Sequence, residues 1–160
     1  MQTDFVHTDM FQLVSFSLGT QRFAIDILKV QEIDNMKDIT SIPNTLPYVA
    51  GAINLWGKVI SVLNLRKKFD MEKNVNTDKE KIIIVDIKGT LTGIIVDAVS
   101  DVLRIPADSI ESPPQVSERL RSGLIRGIAK QQAGLILILD MDKLLDSDEH
   151  AILVNMKQAA

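Results

Sequence analysis

Apolar positions in this chain come in short runs separated by turn residues, with no long stretch of helical period. Phe11–Leu18 (FQLVSFSL) has Phe11 and Leu13 on one alternating set and Val14 and Phe16 on the other, which suits a strand buried on both faces. Gly19-Thr20 is a hairpin signal, and Arg22–Ile27 reads as the return strand. Lys29–Ile33 (KVQEI) alternates, with Val30 and Glu32 on one face and Gln31 and Ile33 on the other. A loop punctuated by Pro43 and Pro47 follows. Gly51–Leu55 and Lys58–Leu65 read as strands joined at Trp56-Gly57, and Lys67–Lys81 as a polar linker. Lys81–Ile87, Thr92–Asp97, Val99–Arg104 and Gly134–Leu139 complete the strands, with turns at Gly89-Thr90 and Pro113-Pro114. Ser117 to Arg121 suits a single helical turn. Ser147 is placed to cap a terminal helix through Met156, with Asp148 and Glu149 in its first turn.

The pattern repeats at a period of about 70 residues, too long for a solenoid unit and right for a duplicated small β domain. Phe16–Ile33 falls on Val85–Val102 when Gly19-Thr20 is laid on Gly89-Thr90 with one residue of slack in the turn. Gly51–Leu65 falls on Gly127–Met141 without a gap. The expected architecture is all-β, with two pseudo-repeated five-stranded SH3-like barrels, short helices and a C-terminal helix. Closing both sheets into barrels disposes of their edges. The expected division is a tail over 1–10, a first barrel over 11–80, a second over 81–145, and a helix and tail over 146–160. Thirty-three of the 160 residues are Ile or Val, which favours strands over helices.

Composition narrows the chemistry. A net charge of -3 argues against a surface for non-specific phosphate contacts. The absence of cysteine excludes disulfides, thiolate metal sites and a thiol nucleophile. The two histidines, His7 and His150, sit near opposite ends and build neither a metal site nor a triad. No GxSxG, Walker A, GxGxxG or HExxH motif is present. Asp97 and Asp101 are four apart, but on strand-like segments they are expected to be solvated. No cofactor is expected. No apolar run is long enough to span a bilayer, and the N-terminus has no secretory pattern, so a cytoplasmic location is expected.

Two features carry a binding reading. Trp56, the single tryptophan, lies at a predicted hairpin tip; it either folds back over its barrel or anchors an interface. Asp26–Ile33 places Ile27, Leu28, Val30 and Ile33 among charged residues, which is either core packing or an apolar strip with a polar rim.

The blocks Ile25-Asp26-Ile27-Leu28-Lys29-Val30-Gln31-Glu32-Ile33, Pro47-Tyr48-Val49-Ala50-Gly51-Ala52-Ile53-Asn54-Leu55 and Gly57–Arg66 resemble the CheW family of bacterial chemotaxis coupling proteins. In the second half, Gly93–Asp97, Val99–Leu103, the Gly127 segment and Leu135–Leu145 carry the same resemblance, which covers roughly residues 11–150. It implies a non-enzymatic adaptor of two barrels with a hydrophobic seam. Such an adaptor bridges the cytoplasmic hairpin tip of chemoreceptors to the regulatory domain of the histidine kinase CheA, at membrane-associated arrays. Carried onto this chain, the receptor-facing positions are Ile27, Val30, Glu32, Ile39, Trp56, Val99 and Val102. The kinase-facing positions are Gly51, Leu124, Ile128 and Ala129. The family usually has Arg where this chain has Trp56, which puts the usual polar contact in doubt and suggests a variant coupler. Asn64 stands where the family often has Asp. The alternatives are a CheW-like module with a different receptor or a self-associating, ring-forming partner, the isolated regulatory domain of a kinase or fusion, and a β-barrel enzyme with a polar pocket.

Overall fold

The computed structural model describes residues 10–72, 79–113, 123–132 and 134–159. The helical turn expected at Ser117 to Arg121 lies outside these residues. The strands are β1 (Met10–Leu18), β2 (Gln21–Asp26), β3 (Val30–Asn35), β4 (Val49–Leu55), β5 (Lys58–Asn64), β6 (Lys81–Ile87), β7 (Thr90–Val96), β8 (Ala98–Pro106), β9 (Ile110–Glu111), β10 (Ile125–Gln131) and β11 (Gly134–Leu139). Among the described residues two α-helices, α1 (Leu65–Lys68) and α2 (Ser147–Ala159), and three 3-10 turns accompany them. The all-β expectation holds. The hydrophobic/polar pattern missed β10, which the repeat alone had indicated.

The sheets run β8-β1-β2-β11-β10-β9 and β3-β6-β7-β5-β4. The outer strands β8 and β9 are joined by a single 3-10 turn, Ala107–Ser109, so the edges of the six-stranded sheet meet. In the five-stranded sheet the chain beyond β3 returns to the opposite edge, where Thr40 and Ala52 exchange two 2.9 Å hydrogen bonds. That pair takes the place β9 holds in the other sheet, which explains why one sheet counts a sixth strand.

The sheets do not follow the halves of the chain, and the expected division near residue 80 is corrected. β1 and β2 pair with β8 and β11, while β6 and β7 pair with β3 and β5. Each barrel thus takes its opening hairpin from one half and its remaining strands from the other. The cause is local. The link from β2 to β3 is the 3-10 turn Ile27–Lys29, and the link from β7 to β8 is Asp97 alone. Neither carries hairpin chemistry such as Asn-Gly, so the chain runs on into the opposite sheet. The repeat also needs no slack. The tight pairs are Leu18↔Gln21 and Ile87↔Thr90, so the second turn is Lys88-Gly89, with φ of 51° and 83°.

Three apolar clusters follow from this exchange. Leu13, Ala24, Ile105, Ala129, Ile136 and Ile138 fill the six-stranded barrel. Ile53, Leu55, Ile60, Val62, Ile82, Ile84 and Ile95 fill the five-stranded one. The largest cluster is the seam, where Phe16 and Phe23 from one sheet meet Leu63, Ile83, Val85 and Ile94 from the other. Alternation produces it. In β1, Leu13 faces the barrel interior while Val14 and Phe16, two residues apart, face the seam.

Candidate functional site

The receptor-facing candidates divide among several places. Asp26 caps the 3-10 turn by accepting a hydrogen bond from Leu28 N at 2.9 Å. Ile27 and Val30 pack half-buried against the seam cluster. Val30 lies opposite Val85 on β6, and Val99 lies opposite Phe16 on β1, equivalent places in the two halves. Val99 also packs on the seam, while Val102, opposite Val14, is 56% exposed. The 3-10 turn touches both β1 and β6, the strands that Val99 and Val30 lie opposite. The bulge between Val30 and Glu32 breaks the alternation expected there: Glu32 lies opposite Ile84, on the other face of β3 from Val30, and its carboxyl is pushed above the usual range by a hydrogen bond with Asp34, then by burial and the Asp34 charge. Ile39 lies elsewhere, packed on the interior cluster of the five-stranded barrel.

Trp56 occupies the tip of the β4–β5 hairpin and is 61% exposed, so it does not fold back over its barrel. Trp56 and Gly57 both have positive φ, 53° and 77°, and Gly57 N donates to Asn54 Oδ1 at 3.1 Å. A left-handed conformation is costly for a bulky residue.

Two of the four kinase-facing candidates come together. Leu124 and Ile128 line a cavity of about 890 Å³, with Phe23, Phe69, Met71 and Leu137 among its walls. The other two are corrected. Ala129 is 1% exposed and faces the interior of the six-stranded barrel, because neighbours on a strand point to opposite faces and Ile128 takes the outer one. Gly51 is buried, and a Cβ there would stand 2.1 Å from the Thr40 carbonyl oxygen. Its role is to let the barrel close.

Leu28 belongs to the Asp26–Ile33 strip but not to the receptor-facing positions carried over by likeness. It is 83% exposed, although Ile27 before it and Val30 two residues after it pack on the seam. Alternation cannot place it, because the 3-10 turn interrupts the period of two at that point.

Three charged clusters tie the halves together. Arg66 and Asp97 pair with side chains only 13% and 14% exposed, and Gly19 N donates to Asp97 Oδ2 at 2.6 Å. Asp97 is therefore not solvated as expected; its partners come from the first half of the chain. At the other hairpin tip, Lys88 N donates to Asp142 Oδ1 at 3.0 Å, and Lys29 Nζ reaches the same carboxylate at 3.1 and 3.0 Å. The Lys88 N–H above all, with Lys29, outweighs burial and holds the Asp142 carboxyl below its usual range. The hydrogen bond to Asp142 raises Lys29. The third cluster docks α2. Asp146 and Glu149 form a reciprocal cap, Glu149 N to Asp146 Oδ1 at 2.8 Å and Asp146 N to Glu149 Oε1 at 3.0 Å, so Asp146 rather than Ser147 caps the helix. Lys68 Nζ, 3.1 Å from Glu149 Oε2, lies over the Tyr48 ring, and the Tyr48 hydroxyl donates to the same oxygen.

Burial opposes ionisation of Glu149, but the Asp146 N–H, Tyr48 and Lys68 outweigh it and hold the carboxyl below its usual range. A lowered carboxylate contributes stability above its unfolded value, and the contribution is lost as pH falls through the folded value. The melting temperature is expected to be flat from about pH 7 to 5 and to fall below about pH 4, the ordinary carboxylate range. Glu149→Gln is expected to lower the plateau and shallow that acid limb; an unchanged limb in thermal melts would show that Glu149 does not hold the helix.

Among the described residues no group of three or more His, Asp or Glu side chains converges as a metal site. No helix among them is long and apolar enough to cross a membrane. Two intertwined barrels with apolar surfaces at their seam define the scaffold class.

Comparison with known proteins agrees. Residues 12–149 match the model of the CheW-like domain. The chain is 33% identical to the chemotaxis protein CheW of Treponema pallidum, covering 94% of this chain and 91% of that one. It is 34% identical to CheW of Klebsiella aerogenes, covering 92% and 89%. The crystal structure of the scaffolding protein TtCheW from Thermoanaerobacter tengcongensis superposes with a TM-score of 0.79 at 36% identity, covering 88% of this chain and 96% of that one. The chain belongs to the CheW-like family. It is a non-enzymatic adaptor of chemotaxis signalling.

Proposed function

We propose that this adaptor couples the cytoplasmic hairpin tips of chemoreceptors to the regulatory domain of the histidine kinase CheA, at membrane-associated receptor arrays. The observation that carries the reading is two sets of apolar side chains set on one seam core. Ile27, Val30 and Val99 pack on it from the first 3-10 turn, β3 and β8, and Leu124 with Ile128 lines the cavity. A helical receptor tip binds by laying apolar side chains against such a surface. An adaptor of this kind contributes to kinase control by making different contacts in the two signalling arrangements, which sets the coupling free energy between them.

Trp56 favours a second reading for one contact. The family's usual Arg offers a planar charged fork, whereas Trp offers area and a single donor. Standing 61% exposed at its hairpin tip, away from the seam residues, Trp56 suits a partner of different chemistry, including another copy of the coupler in a ring.

Crossed binding tests separate the faces. Val102→Asp is expected to weaken binding to a receptor cytoplasmic fragment by about tenfold and to spare binding to the kinase regulatory domain. Ile128→Asp is expected to do the reverse. Loss of both interactions in either variant, with the fold intact by circular dichroism, would contradict two separate faces.

A further inference from the structure

We infer that Leu28 is the principal anchor on the receptor side, a knob that seats in a hollow on the helical surface of the receptor tip. The inference rests on the receptor-facing reading above. A leucine 83% exposed gains nothing from folding, yet its turn is fixed on both sides. Before it, the Asp26 carboxylate accepts the Leu28 N–H at 2.9 Å. After it, Lys29 is tied to Asp142 at 3.0 Å, and Asp142 is held in turn by Lys88 N. Ile27 and Val30 pack down on the seam. The side chain between them is therefore held out on a backbone with little freedom left to lose on binding.

The shape of the display points to the kind of partner. A single branched aliphatic group on a rigid turn matches the four-residue hollow of a helix surface, as in knobs-into-holes packing. An extended strand would need unpaired backbone groups beside it, and a 3-10 turn does not offer a row of them. Asp26 and the Lys29–Asp142 pair form a polar rim about one apolar centre, the arrangement in which a central residue dominates binding energy. The surface is continuous with Val30 on the next strand, so one helical hairpin covers both.

The test uses the full chain, with Leu28→Ala, Leu28→Met and Val102→Asp. Binding to a receptor cytoplasmic fragment and to the kinase regulatory domain is measured by calorimetry. Leu28→Ala is expected to weaken receptor binding by about tenfold or more, with Leu28→Met within about threefold of wild type. Kinase binding and melting temperature are expected to stay unchanged in both, because the side chain is outside the core. Receptor binding of Leu28→Ala equal to wild type, while Val102→Asp binds weakly, would overturn the anchor and leave the receptor reading standing. Receptor binding unchanged in Val102→Asp as well as in Leu28→Ala would overturn both.

Discussion

Gly51→Val is expected to lower the unfolding free energy by about 4 kcal/mol, a large part of the stability of a domain this size. Gly51 has φ of 148°, which side chains rarely adopt. A Cβ there would stand 2.1 Å from the Thr40 carbonyl oxygen, 2.8 Å from its carbonyl carbon and 2.8 Å from Ile39 Cγ2. Two of these atoms are backbone and cannot swing aside. The Thr40 segment must leave β4, giving up the two 2.9 Å hydrogen bonds with Ala52 that close the barrel. Backbone strain costs about 1–3 kcal/mol and each hydrogen bond about 1 kcal/mol. Gly127 occupies the equivalent place beside β9, at the same bulge in the β10–β11 pair. A Cβ there meets Ile110 Cγ2 at 2.4 Å and the Glu111 oxygen at 3.0 Å. A side chain has more room to give than backbone, and Gly127 has no positive φ. Gly127→Ala is therefore expected to cost about half as much as Gly51→Ala. Urea denaturation ranks the variants, and the opposite order would contradict this account of barrel closure.

Arg66→Met is expected to cost about 3 kcal/mol, because it strands a buried carboxylate. Arg66 donates from Nε to Asp97 Oδ1 at 2.9 Å and from a terminal nitrogen to Oδ2, and it also donates to the Glu72 carbonyl. Without it, Asp97 retains the Gly19 N–H among the hydrogen bonds described here. The pair joins α1 to the β1–β2 turn and to the link between β7 and β8, so its loss loosens both barrels at their junction. Arg66→Met combined with Asp97→Leu is expected to recover part of the loss, since no buried charge then lacks its partner. The Lys130–Glu111 pair provides the contrast: its side chains are 68% and 58% exposed, and Lys130→Met is expected to change stability by less than about 0.5 kcal/mol. Equal effects from Arg66→Met and Lys130→Met in denaturant titrations would show that the Asp97 cluster does not hold the seam.

Most strands were legible because their signals are local. The unbroken run Ile82–Val85 marked β6, and the turns at Gly19 and Gly57 marked the hairpins on either side of them. The family likeness and the internal repeat were also visible in residue order. What failed depends on contacts distant in sequence. Nothing near Asp97 announces that Arg66 neutralises it, so alternation placed it in water. The links after β2 and β7 lack hairpin chemistry, which sends the chain on, but which edges it then pairs with is decided by contacts distant in sequence. Within the candidate site, transferring positions by likeness carried Ile128 and Ala129 together, although the pleat allows only one of them to face outward. The Asp146–Glu149 cap was readable as an acid followed three residues later by Glu, but Ser147 stood beside it and drew the assignment.

The central claim is that receptor tip and kinase domain occupy the adaptor at the same time through different faces. Sedimentation velocity on the wild-type chain mixed with a receptor cytoplasmic fragment and the kinase regulatory domain tests it most directly. A single species containing all three components, converted to the kinase pair by Val102→Asp and to the receptor pair by Ile128→Asp, is the predicted result. Displacement of one partner by the other, with no ternary species at saturating concentrations, would contradict it.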